Sequence, residues 1–335
     1  MVSKFVTIGC FYYFHEKNKN KAFIMKRILI FLIGVIGYCS LYSQDNFDPF
    51  GGIGRMGSVS FVIDNTVYIG LGENGNTFYK DFWKHSLTTN SWERIADFPG
   101  DARTNSNAFS INGMGYVGLG SCSIADTSFQ DLYSYNPTTD EWTKLNDFNG
   151  GFRTKAVCFV IGSDAYIGTG NDKDGNSQKD FWKYNYSTDT WIKLTATFSG
   201  DIRQSASAFT INGKGYVVGG CYFSDYTVQL SDIQEYNPVT NTWTEKIFAD
   251  GINLSFNDAT AFGYYGKGYI CYGNKNTVVK YNPFDNSIEN LGNILNLEDV
   301  RISSINFILN DTAYVGLGLY THDDGSMFGQ SIYDN

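Results

Sequence analysis

Five arginines, Arg55, Arg103, Arg153, Arg203 and Arg301, each stand thirteen residues before a tyrosine: Tyr68, Tyr116, Tyr166, Tyr216 and Tyr314. A guanidinium presents its donors in a fixed fork that matches a carboxylate or a phosphate, so a ring of them could grip an anionic ligand. The same recurrence has an architectural reading, in which each arginine ties neighbouring units together through repeat acids such as Asp101 and Asp201 or through backbone carbonyls. Other reactive types are sparse. His85 and His322 are the histidines outside the N-terminal segment, and His85 holds a repeat position that is otherwise tyrosine. Asp172, Asp174 and Asn176 alternate like a calcium loop, but Ser177 and Lys183 stand where such a loop needs glycine and glutamate, so a polar loop tip is expected. No CxxC occurs, and neither a metal nor a cofactor is expected.

The elements that would position these residues are set by a second periodicity. Tyr135, Tyr184 and Tyr236 each precede a tryptophan (Trp142, Trp191, Trp243) by seven positions, and His85 stands in the same relation to Trp92. Tyr281 and Ile288 keep the interval with the indole lost, and Phe256 and Tyr269 stand in for the fifth arginine and its tyrosine. Six units follow, with starts 48, 50, 50, 53 and 45 residues apart. A period of this length belongs to units that bury their apolar faces only against neighbours. Within the second unit, Ala108–Ile111 alternates as a strand, Asn112-Gly113 is a hairpin signal, and Gly115–Gly120 returns as a second strand. A variable segment, Ser121 to Gln130, leads to a third strand at Asp131–Tyr135, and Trp142–Leu145 forms a fourth. Four antiparallel strands repeated radially make a propeller blade, so a six-bladed all-β toroid is expected, with the tryptophans buried on outer strands.

These markers resemble the Kelch-repeat β-propeller family from Arg55 onward, in a secreted bacterial form similar to the galactose-oxidase propeller without its copper site. The family's paired glycines stand here as Gly70/Gly72, Gly118/Gly120, Gly168/Gly170, Gly219/Gly220 and Gly316/Gly318. The fifth unit departs from the pattern, with only Gly273 and no tryptophan. Copper chemistry of the galactose-oxidase kind needs two converging histidines and two tyrosines, and the two histidines here lie in different units at different repeat positions. The resemblance implies two functions. The first is a binding module that recognises a protein or a glycan. The alternative is a periplasmic sugar-modifying enzyme similar to the sialic-acid mutarotases, with the arginine ring on a carboxylate and an acid moving protons. A carboxyl of raised pKa in a deep axial pocket would favour the alternative.

The order of strands puts the loop that enters each inner strand and the variable loop after the second strand on one face. Recognition is expected there. The variable loops, Glu73 to Tyr79, Ser121 to Gln130, Asn171 to Lys179, Cys221 to Ser231, Asn274 to Asn276 and Leu319 to Gln330, carry Phe129, Tyr222, Phe223 and Tyr226 among polar residues. Such a mixture suits stacking on a sugar or holding a peptide.

Composition bounds the partners and the compartment. The chain carries −9 formally, and residues 1–43 hold six basic residues and one acid, so the remainder stands at about −14. That charge disfavours nucleic acid. Met25-Lys26-Arg27 followed by Ile28 to Ile36 reads as a secretory signal over residues 25–43, with 1–24 an upstream extension and 44–335 the propeller. A secreted or periplasmic monomer without a transmembrane anchor is therefore expected. Cys122, Cys158, Cys221 and Cys271 fall in different units and read as free thiols. The sixth unit reaches a third strand only at Ser331–Tyr333, which suggests that Gln44 to Asp48 supplies its outer strand.

Overall fold

The computed structural model of the protein describes residues 4–8, 11–15, 50–125, 127–246, 258–272, 277–292, 300–310 and 312–321. Among these residues there is no helix. Five four-stranded antiparallel blades follow one another along the chain, each ordered inner, second, third, outer. Their inner strands are Val59–Ile63, Asn107–Ile111, Val157–Ile161, Ser207–Ile211 and Thr260–Tyr264. In the second blade the remaining strands are Met114–Gly118, Leu132–Asn136 and Glu141–Lys144, joined at the first corner by Asn112 and Gly113 with φ of 53° and 73°. Both central residues have positive φ, which is why an Asn-Gly pair serves there.

The expected six blades, the sixth incomplete and closed by an N-terminal segment, are corrected to five. The sixth unit contributes Ile305–Leu309 and Thr312–Gly316, and the open edge of the latter is covered by Phe11–His15, which pairs in turn with Lys4–Ile8. An uncovered strand would leave a row of backbone donors and acceptors unpaired, and a non-contiguous stretch of the chain satisfies them instead. Part of the expected upstream extension thus forms a sheet. The signal segment 25–43, the expected clasp strand Gln44 to Asp48 and the expected third strand at Ser331–Tyr333 lie outside the described residues.

Packing repeats with the sequence. In every unit the tyrosine of the second strand stacks on a phenylalanine directly opposite on the inner strand, as in Phe61–Tyr68 and Phe109–Tyr116, with ring centroids 4.9 Å apart in both. The same stack holds in the sixth unit at Phe307–Tyr314. Neighbouring blades then close on these pairs: Tyr135 packs on Tyr68 at 5.5 Å, and a Cβ on Gly115 would lie 2.3 Å from the Phe61 ring, so no side chain fits. Trp191 and Trp243 are buried and Trp92 and Trp142 half-buried. The Trp142 indole N–H donates to the Ala96 carbonyl of the preceding blade at 3.0 Å. Aromatic pairs of this kind contribute about 0.5–1.5 kcal/mol each beyond their buried area, which is how short strands make a stable ring.

Candidate functional site at the axial mouth

The repeated arginines do not converge on the axis. Arg55, Arg103, Arg153 and Arg203 are buried, and each forms an ion pair with the aspartate that opens the third strand of its own blade: Asp81, Asp131, Asp180 and Asp232. Arg103 is representative. Its Nη1 and Nη2 donate to the two Asp131 oxygens at 2.5 and 2.9 Å, Nη1 also reaches the Leu119 carbonyl, and Nε donates to the Asp101 carbonyl. The clamp joins the loop entering the inner strand to the end of the second strand and the start of the third. Asp101 and Asp201 accordingly supply backbone carbonyls to Arg103 and Arg203, not carboxylates.

The aspartates are the residues that sequence reasoning missed. They open a recurring Asp-apolar-polar or aromatic pattern, Asp81-Phe82-Trp83, Asp131-Leu132-Tyr133, Asp180-Phe181-Trp182 and Asp232-Ile233-Gln234. The residue two places on often secures the same carboxylate: Trp83, Trp182 and Gln234 donate to Asp81, Asp180 and Asp232. Burial pushes the Asp81 and Asp180 carboxyls up, but the hydrogen bonds and charge of Arg55 and Arg153 outweigh it and hold both below the usual range. None of these arginines lines the axial cavity. Arg301 lies on the short strand Val300–Ile302, which pairs with Leu319–Thr321.

What reaches the axis is the residue two places after each arginine position: Gly57, Asn105, Lys155, Ser205, Asp258 and Ser303. All six have φ between 51° and 60°. Their backbones form a closed circle in which each N–H donates to the carbonyl of the equivalent residue in the preceding unit, from Asn105 to Gly57 at 3.0 Å and round to Gly57 on Ser303 at 3.4 Å. Steps of about 4.8 Å in the hydrogen-bonding direction make this hexagon about 10 Å across between backbone centres. The circle fixes the backbone without using a side chain, so the six side chains are free to differ. They do differ: an amide, a cation, a carboxylate and two hydroxyls surround a cavity of about 320 Å³.

Glu73 adds an acid at the rim. It opens the first variable hairpin, Glu73–Asn74 with Thr77–Phe78, and its N–H and carbonyl bond those of Met56, the residue before Gly57. Burial raises its pKa, while the Lys155 ammonium and the Thr104 hydroxyl pull it back part of the way. Groups from the second and third blades therefore act on an acid of the first. Lys155 is exposed and makes no ion pair among the described residues. Its charge also acts on Cys221, opposite in sign to that of Asp258. Cys221 itself pairs by backbone with Gln204, next to Ser205. The arrangement offers a cation for an anionic ligand, an acid whose pKa burial raises and a polar wall.

The remaining expected residues have other settings. Phe129 lies over the Arg103 guanidinium at 3.6 Å, and Tyr79 takes the same place over Arg55, so both cap clamps. Tyr222 and Tyr226 belong to a hairpin, Cys221–Phe223 with Thr227–Gln229, that rises from beside the mouth with Phe223 and Tyr226 at 71% and 69% exposure. His85 is buried against Trp92, in the tyrosine place of its repeat, and His322 lies outside the described residues. Asp172 accepts the Asp174 and Asn176 N–H groups at 2.9 Å, the bonding of a turn. The four cysteines are free, with burial pushing Cys271 up to about 12. Gly120 has a φ of 92° and would place a Cβ 2.6 Å from the Thr104 carbonyl, and Gly72, Gly170, Gly220 and Gly318 also have positive φ.

The Kelch motif family matches residues 202–246, the span of the fourth blade. The chain is a β-propeller that carries a Kelch motif. The N-acetylneuraminate epimerase family matches residues 53–147 of this propeller, the first two blades, including Glu73 and Thr104. A curated N-acetylneuraminate epimerase from Yersinia enterocolitica is 38% identical over 67 residues, a match spanning 19% of this chain and 17% of that relative's length. Among solved structures, that of YjhT superimposes with a TM-score of 0.65 at 14% identity, over 82% of this chain and 97% of YjhT, a likeness of fold.

Proposed function

We propose that this propeller is a sugar-modifying enzyme that interconverts the anomers of an acidic sugar such as N-acetylneuraminate at its axial mouth. The observation that carries the reading is the match of residues 53–147 to the N-acetylneuraminate epimerase family, because that stretch contains the hairpin presenting Glu73. The geometry is consistent with it. Lys155 would hold the sugar carboxylate. Glu73 in its protonated form would give its proton to the ring oxygen as the bond from that oxygen to the anomeric carbon breaks, while the anomeric hydroxyl releases its own proton to water and becomes the carbonyl. The open form then turns about its carbon–carbon bond and closes from the other face, the carbonyl oxygen taking a proton from water and the ring oxygen returning its proton to Glu73. The reading takes a monomeric protein and no cofactor.

A second reading has its own observation. The exposed Phe223 and Tyr226 beside the mouth suit stacking on a glycan or a protein without any chemistry. The two readings separate in one experiment: NMR exchange spectroscopy of N-acetylneuraminate with the full chain. Accelerated anomer exchange that is lost in Glu73→Gln supports the enzyme. Binding without acceleration supports the binding module.

A further inference from the structure

The backbone circle at the mouth needs no charge on its side chains. Gly57, Ser205 and Ser303 hold three of its places with the same positive φ and the same pattern of hydrogen bonds. Lys155 and Asp258 are its two charged members, and both line the axial cavity. Along the shorter arc only Ser205 separates them. Its N–H donates to the Lys155 carbonyl, and the Asp258 N–H donates to the Ser205 carbonyl, each at 3.2 Å. Two steps of about 4.8 Å round a hexagon put the two backbones about 8 Å apart. Neither side chain forms an ion pair among the described residues. Both charges are felt at Cys221, beside this arc: burial raises its thiol, the Asp258 charge adds to that and the Lys155 charge opposes it. The mouth thus presents a lone cation and a lone carboxylate on one arc, and the fold itself requires neither. Such a pair selects ligands with complementary groups and rejects those that set like charges together.

We infer that Asp258 is a specificity-determining residue of this mouth, accepting the amide N–H of an acidic sugar whose carboxylate lies on Lys155. This inference rests on the acidic-sugar reading proposed above. In N-acetylneuraminate the carboxylate and the acetamido nitrogen stand at opposite corners of a six-membered ring. A ligand of that form sets its anion against the cation and its donor against the acceptor, with Ser205 between. The ionised acceptor makes the second contact stronger than a neutral one would be. The reverse orientation would set carboxylate against carboxylate, so the arc also fixes which way round the sugar lies.

The test compares N-acetylneuraminate with its ester analogue, in which an oxygen replaces the amide N–H and the shape is kept. Dissociation constants are read by NMR titration of the full chain. The parent protein should bind the amide at least about tenfold more tightly, since a hydrogen bond to a charged group is at stake. Asp258→Asn keeps the size of the side chain, and asparagine tolerates the φ of 51° at this position. Its amide can turn to donate to the ester oxygen, so the preference should fall below about threefold. Asp258→Gly, a residue the circle already carries at Gly57, should lose the preference likewise. Lys155→Ser, a residue the circle carries at Ser205 and Ser303, should weaken both ligands and leave their ratio unchanged. A parent protein without the preference, or a preference that survives in both Asp258 variants, overturns the inference and leaves anomer exchange standing. Selective binding without faster anomer exchange overturns the proposed function and leaves the role of Asp258 intact. No binding of N-acetylneuraminate overturns both.

Discussion

Arg103 and Asp131, 28 residues apart in sequence, meet as a two-pronged ion pair at 2.5 and 2.9 Å, with the guanidinium held between the rings of Phe98 and Phe129. The same clamp recurs in the first, third and fourth blades. Arg103→Ala is therefore expected to leave a buried carboxylate without its partner and to cost about 3–5 kcal/mol. Thermal or urea unfolding should show a marked loss of stability. A variant that melts like the parent but no longer binds an anionic sugar would return the arginine to the ligand.

The clamps should also appear in the pH dependence of stability. The Asp180 carboxyl is held low in the folded protein, so its contribution is fully present above the ordinary carboxylate value of 3.8 and is lost as the pH falls through the lowered folded-state value. Asp180→Asn should be less stable than the parent near pH 7, and the gap should narrow below about pH 4. A gap that stays constant to pH 2.5 in urea titrations would contradict this.

Asp140 joins two blades with one oxygen, accepting the Tyr135 hydroxyl at 2.8 Å and the Ala96 N–H of the preceding blade at 3.0 Å. Its φ is 56°, which glycine also adopts. Asp140→Gly keeps the turn but removes both bonds. We expect a loss of about 1–3 kcal/mol, since two partners are left unmet. Unchanged urea midpoints would show that the bonds are replaced by water.

Glu73 should set the alkaline limb of the exchange reaction, because it acts in its protonated form and its activity is lost as the pH rises through its pKa. Burial raises that pKa, and the Lys155 charge and the Thr104 hydroxyl each lower it in part. Thr104→Val removes one lowering influence, so the limb should move to higher pH in a profile of the maximal rate. A limb that moves to lower pH, or not at all, would contradict the assignment.

The division between what the sequence revealed and what it concealed follows from the repeat. Residues that recur in register, such as the arginines, Gly72, Gly120 and Trp142, are legible because every blade needs the same clamp, turn and packing. The recurrence of the arginines leaves an architectural and an anion-binding reading both open, and in the structure Arg55, Arg103, Arg153 and Arg203 each pair with an aspartate of their own blade, not of a neighbouring one. The candidate site has the opposite character. Gly57, Asn105, Lys155, Ser205, Asp258 and Ser303 share one backbone position and nothing else, so a search for recurring residue types passes over them. The available signal was positional: two residues after each arginine, or after Phe256 in the fifth unit. The short hairpins built by the variable loops were not visible either, because pairs of two-residue strands such as Ser121–Cys122 with Thr127–Ser128 are too short for alternation to register.

The most direct test of the account is a crystal structure of the propeller soaked with N-acetylneuraminate. The sugar carboxylate should lie within salt-bridge distance of Lys155 Nζ, with the sugar at the axial mouth beside Glu73. A sugar seated on the Phe223–Tyr226 hairpin with the axial mouth left open would contradict the enzyme reading.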